Sequence, residues 1–88
     1  MMEFKQLEMF VGVAEERSVQ RAAARVFRTQ AAVSMAIAKL EDEAGRPLFV
    51  RSRHEPFLLT EVGQTFYRYA KRLLDLRDEA QAAWRPTR

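Results

Sequence analysis

From residue 4 to about residue 16 the hydrophobic positions Phe4, Leu7, Phe10, Val11 and Ala14 recur at helical spacing, which predicts an amphipathic first helix. Ser18 then offers an N-cap, and Val19, Ala22, Ala23 and Val26 follow at i, i+3, i+4 and i+7, so the second helix is short and slim on its buried side. Small residues on that side admit a neighbouring helix at close range. Phe27 and Arg28 form a turn, Thr29 caps a third helix, and Gly45 and Pro47 end it after about Ala44. Two helices joined by a turn of about three residues make a helix-turn-helix. Beyond Gly45 the pattern shortens to the β-prone runs RPLFVRS and FLLT, separated by RHEP, a hairpin with Arg51, Arg53 and His54 near its tip. A hairpin in this place is a wing. Thr60 caps a last helix in which Val62, Phe66, Tyr69, Leu73, Leu76, Ala80 and Ala83 step alternately by four and three, the spacing of a two-helix seam. The pattern predicts a mainly α chain: a winged helix-turn-helix of three helices and a two-stranded β wing over residues 1–60, a long linker and dimerisation helix over 61–84, and a short tail over 85–88.

The third helix shows two faces that need different explanations. At about 100° per residue, Val33, Ala36, Ile37, Leu40 and Ala44 fall on one side and form a core face. Gln30, Ala31, Ser34, Met35 and Ala38 gather on another, which is compact enough to enter a DNA major groove. A glutamine amide can pair with adenine, a serine hydroxyl can bond a base or a phosphate, and an alanine can touch a thymine methyl. The acids Glu41, Asp42 and Glu43 stand at the far end of the helix, away from that site. The last helix poses a different problem. It is about 30 Å long, more than the head can cover. Its first turns are expected on the head and the rest against a second copy, with Phe66, Tyr69, Leu73, Leu76 and Ala80 at the seam of a twofold dimer.

Charge sharpens the picture. The net +3 is unevenly spread: residues 1–16 hold one base against four acids, 17–53 hold eight against three, and 54–88 hold six against five. A basic block on a small folded domain is the electrostatic footprint of a polyanion-binding surface, and an arginine-bearing wing tip suits the narrow minor groove of A·T segments. Composition removes the competing chemistries. With 48% hydrophobic residues, 3 glycines and 3 prolines, the chain is ordered, and its 88 residues make one small domain with little room for a buried active site. With no cysteine and a single histidine, neither a disulfide, a thiol nucleophile nor a zinc site is expected, and no cofactor is implied. There is no glycine-rich phosphate loop and no nucleophile with a histidine–carboxylate partner, so the chain does not read as an enzyme. No apolar run approaches the roughly 20 residues that span a bilayer, and a cytoplasmic, nucleoid-associated location is expected. The rival class is a pure interaction module that uses the helix seam and never touches nucleic acid. It leaves the acid-free face of the third helix unexplained, and steep salt dependence of binding separates the two.

The stretch RAAARVFRTQAAVSMAIAKLEDEAGRPLFVRS, followed by LLTEVG, resembles the N-terminal DNA-binding domain of LysR-type transcriptional regulators over residues 3 to about 84. The motifs that carry the resemblance are Ala22-Ala23, Thr29-Gln30, Ala32-Val33-Ser34, Leu40-Glu41, the Gly-x-Pro-Leu-Phe of 45–49, Arg51, and Leu59-Thr60-Glu61-x-Gly63. The resemblance implies a homodimer built on antiparallel linker helices, a third helix in the major groove and a wing at the minor groove of a pseudo-palindromic operator in double-stranded DNA. Carried over by position, Gln30, Ala31, Ser34 and Met35 face bases, while Arg28, Thr29, Lys39 and Arg51 lie near phosphates. Arg53 or His54 would occupy the wing tip. The chain departs from the family pattern in three ways. Met35 stands where many members carry a polar side chain, which gives up a polar base contact and keeps the ability to pack on a thymine methyl. The wing is one residue longer and contains Glu55 and Pro56. The effector-binding domain that usually follows the linker helix is not in this sequence, so no small-molecule effector site is expected on it.

Overall fold

The computed structural model describes residues 1–50 and 57–86. Along the chain run α1 (Phe4–Glu16), α2 (Val19–Val26), α3 (Gln30–Ala44), β1 (Phe49–Val50), β2 (Leu58–Leu59) and α4 (Glu61–Ala83). Hydroxyl side chains set three of the helix starts. Ser18 accepts from the Arg21 N–H at 3.1 Å, Thr29 from Ala32 at 3.0 Å and Thr60 from Gly63 at 3.0 Å, each satisfying a backbone donor that the helix leaves without a partner. Three helices end on a left-handed residue: Arg17 at φ 57°, Phe27 at φ 58° and Gly45 at φ 69°. Only the glycine adopts that conformation without a Cβ penalty. At Phe27 the turn is tightened by the Arg28 N–H donating to the Ala23 carbonyl at 3.0 Å.

α1 is the centre of the head. It packs against α2, α3 and α4, so Leu7, Met9, Phe10, Val11, Gly12 and Val13 are all buried. The amphipathic pattern predicts one buried face, and burial of Met9 and Val13 beyond it follows from having helices on several sides. α2 comes close because it is slim: a Cβ on Gly12 would stand 3.4 Å from the Ala22 Cβ. The rings of Phe10 and Phe49 lie 5.4 Å apart, Phe10 and Phe66 4.8 Å, and Phe49 and Phe57 5.7 Å, which joins α1, the wing and α4 in one aromatic cluster.

Among the described residues the wing strands pair antiparallel as Phe49↔Leu59 and Val50↔Leu58. Their root is pinned from several directions. The Glu41 carboxylate accepts from the N–H of Leu48 at 2.7 Å and of Phe49 at 3.3 Å. The Thr60 N–H donates to the Leu48 carbonyl at 3.0 Å, its hydroxyl donates to the Pro47 carbonyl at 2.9 Å, and the Phe57 N–H donates to the Arg17 carbonyl at 3.2 Å. α4 crosses this root so closely that a Cβ on Gly63 would fall 2.0 Å from the Leu48 oxygen. Only glycine fits there. The motifs LE, GxPLF and LTExG are thus parts of one junction between α3, the wing and α4.

α4 distributes its apolar positions over two sides. Gly63 and Ala70 are buried, and Val62, Phe66, Tyr67, Leu73 and Leu74 pack partly buried on the core, while Tyr69, Leu76 and Ala80 are exposed. The helix is therefore divided by face as well as by length: one side is covered by the head as far as Arg77, which pairs with Glu8 at 3.4 Å and lies over the Phe4 ring, and a parallel side is open from Tyr69 onward. Ala44, expected on the core face of α3, is exposed in its last turn, just before Gly45 redirects the chain. The molecule is 52 Å along its longest axis. Among the described residues no helix is long and apolar enough to cross a membrane.

Candidate nucleic-acid interface

α3 is anchored on one side and open on the other. Val33, Ala36, Ile37 and Leu40 are buried, while Gln30, Ala31, Ser34, Met35, Ala38 and Lys39 are exposed. The two groups alternate at i+3 and i+4, so packing the first set on α1 and α2 forces the second outward. Between Thr29 and Ala38 there is no ionisable side chain, and Lys39 is the first. Gln30 and Ser34 supply the hydrogen-bonding groups, and Met35, 59% exposed, supplies the one large apolar side chain. Arg28 and Thr29 lie exposed in the turn at the N-terminal end of α3. The Thr29 oxygen is occupied by the Ala32 N–H, and its hydroxyl hydrogen is left to donate outward.

The structure sorts the surrounding charges. Arg25, counted in the basic block, is withdrawn from any anion-binding surface: it bonds Glu15 at 2.6 Å and Glu16 at 3.3 Å. Tyr67 on α4 donates its hydroxyl to the same Glu15, and the Lys71 ammonium lies 3.4 Å away. The Tyr67 hydroxyl bond and the neighbouring cations hold the Glu15 carboxyl below its usual range, and the Glu15 acceptor pushes the Tyr67 hydroxyl up to about 12. This cluster clamps the C-terminal end of α1 to α2 on one side and α4 on the other, fixing the platform on which α3 sits. Periodicity carries no sign of it, because residues 15, 25 and 67 belong to three different elements. Glu41, one of the three acids at the far end of α3, turns its carboxylate to the wing root. Arg51, Arg53 and His54, expected at the wing tip, lie outside the described residues.

The open side of α4 has a different chemistry. Tyr69 and Leu76 are 55% and 61% exposed, and with Leu73 they border a shallow hollow flanked by Arg72, Asp75 and Glu79. The Arg72 guanidinium lies 5.5 Å from the Tyr69 ring centre. Of the five expected seam residues, Phe66 and Leu73 are half-buried against the core and Tyr69, Leu76 and Ala80 are exposed. Among the described residues no group of three or more histidine or carboxylate side chains is placed to hold a metal ion.

Comparison with known proteins gives a consistent result. Residues 4–64 match the family described as bacterial regulatory helix-turn-helix protein, lysR family. The chain is 45% identical over 74 residues to the probable RuBisCO transcriptional regulator of Cyanidioschyzon merolae, covering 84% of the chain and 24% of that protein. It is 43% identical over 81 residues to the HTH-type transcriptional regulator DgdR of Burkholderia cepacia, covering 92% and 27%, and 43% identical over 79 residues to BudR of Klebsiella aerogenes, covering 90% and 54%. The chain thus spans about a quarter of the first two relatives and about half of the third. Among solved structures it is similar to the BenM DNA-binding domain in complex with catB site 1 DNA, with a TM-score of 0.88 and 36% identity over 93% of this chain and 91% of that one. The CbnR DNA-binding domain in complex with DNA gives a TM-score of 0.83 at 36% identity, covering 96% and 100%.

Proposed function

The chain belongs to the lysR family of bacterial regulatory helix-turn-helix proteins, and from that premise we propose that it binds double-stranded DNA in a sequence-dependent way as the reading head of a transcriptional regulator. One observation carries the reading: α3 presents an exposed, uncharged face through Gln30, Ala31, Ser34 and Met35 in a fold that superposes on domains solved with DNA. In this reading α3 enters the major groove, Gln30 pairs with adenine, and Ser34 bonds a base edge or a phosphate. Arg28, Thr29 and Lys39 meet phosphates at the two ends of the face, and by the family pattern Arg51 is a further phosphate contact and Arg53 or His54 the minor-groove contact.

The open side of α4 supports a homodimer. Tyr69, Leu76 and Ala80 offer apolar surface rimmed by charges of both signs, as the seam of two paired helices does. Residues 1–60 then act as the head and 61–84 as the linker helix, and two heads related by a twofold axis read the two halves of a pseudo-palindromic operator. The working location is where the DNA is, the cytoplasm and its nucleoid.

Selection of bound sequences from a random duplex pool, followed by affinity measurement across salt, tests the proposal. An inverted repeat should emerge, and its affinity should fall by orders of magnitude between about 50 and 200 mM salt. Failure to bind any duplex at low salt would overturn it in favour of a protein-interaction module working through α4.

A further inference from the structure

We infer that Met35 sets the sequence preference at the centre of the α3 face, and that it does so by reading the 5-methyl group of thymine in the major groove. The inference rests on the DNA-binding reading above and adds what kind of site is read. Met35 is 59% exposed, and its neighbours one turn away on either side, Ala31 and Ala38, are exposed and too short to cover it. A long, unbranched thioether therefore stands clear of the helix between two low positions, free to adapt its end to a small apolar knob. The commonest way to hold guanine, a bidentate bond from Arg or Lys to its O6 and N7, has no donor on this face before Lys39. Gln30 matches the N6 and N7 edge of adenine, and adenine's partner is the base that carries the methyl. Hydrogen bonding by Gln30 and apolar contact by Met35 thus select A·T pairs in the same half-site through independent chemistry.

The test uses the selected operator and a second copy in which one thymine per half-site is replaced by deoxyuridine, which removes the methyl and leaves every hydrogen-bonding group in place. Each thymine is replaced in turn. At the position that faces Met35 the chain should lose about fourfold in affinity per half-site, the factor for one buried methyl-sized group, and about fifteenfold for both. Met35→Ala, an exposed change that leaves the core untouched, should bind the thymine duplex more weakly and show a thymine-to-deoxyuridine ratio near one. Equal binding of the chain to all thymine and deoxyuridine duplexes, with the steep salt dependence intact, would overturn methyl reading while leaving DNA recognition standing. A preference for thymine that survives in Met35→Ala would overturn the assignment to Met35. Loss of binding to every duplex, thymine included, would bring down the underlying reading and this inference with it.

Discussion

α3 and α4 each leave one side uncovered by the head, and the two open sides are built from opposite materials. On α3 the exposed positions before Lys39 are uncharged and mostly short, Ala31, Ser34 and Ala38 around Gln30 and Met35. On α4 they are bulky and edged with charge, Tyr69 and Leu76 between Arg72, Asp75 and Glu79. A slim face can descend into a groove whose walls are phosphates, and it needs its cations only at its ends. A bulky face gains from meeting another surface of the same kind, where apolar area is buried and charges of both signs can pair at the rim. Exposure alone does not separate the two uses, whereas side-chain size and the placement of charge do.

The largest effect should come from removing the junction that holds both faces to one body. Gly63→Ala drives a Cβ into the Leu48 carbonyl, and the chain should lose about 3 kcal/mol of stability, because the nearest atom is backbone and not the end of a flexible side chain. Urea denaturation measures this, and a stability within about 1 kcal/mol of the parent would mean that α4 is not seated as described. Next comes the α4 face by itself. Leu76→Asp should weaken dimerisation by about 2–3 kcal/mol with the monomer still folded, read as a monomer by sedimentation with an unchanged helical spectrum. Leu73→Asp is the poorer probe, since Leu73 also packs on the core and the variant confounds dimer loss with unfolding.

The α3 face is isolated by Gln30→Ala, which should cost about 2 kcal/mol on the selected operator and relax preference at one base pair. A uniform loss on all sequences would place Gln30 on the phosphates. The smallest effect concerns the clamp beneath the two helices. Tyr67→Phe should cost about 1 kcal/mol by leaving Glu15 short of a donor, a value held down because the group is partly solvated. Its pH dependence has a definite sign. Tyr67 titrates higher in the folded chain, near 12 against an ordinary 10, so its contribution is whole below pH 10 and is lost as pH rises toward 12. Glu15 is shifted the other way, so its contribution is whole at neutral pH and is lost on acidification below the usual carboxylate range. A gap between parent and variant that stays constant from neutral to strongly alkaline pH would remove the hydroxyl bond from the account.

What the chain states locally, it states clearly. Ser18, Thr29 and Thr60 at helix starts and Gly45 at a helix end act within a few residues, so their role follows from the backbone groups they satisfy. The two faces of α3 follow equally from helical periodicity, with Ala44 misplaced because the last turn runs past the core. Tertiary structure decided the rest. On α4 the apolar positions at 66, 67, 69, 70, 73, 74 and 76 are too many for one stripe, and only the docking of α1 chose which side to cover. Glu41 at the wing root, the Glu15–Arg25–Tyr67 clamp, and the lack of space at Gly63 join residues that are far apart in sequence or depend on backbone arriving from another element. Periodicity records how a segment relates to itself, and such contacts exist only once the segments have been brought together.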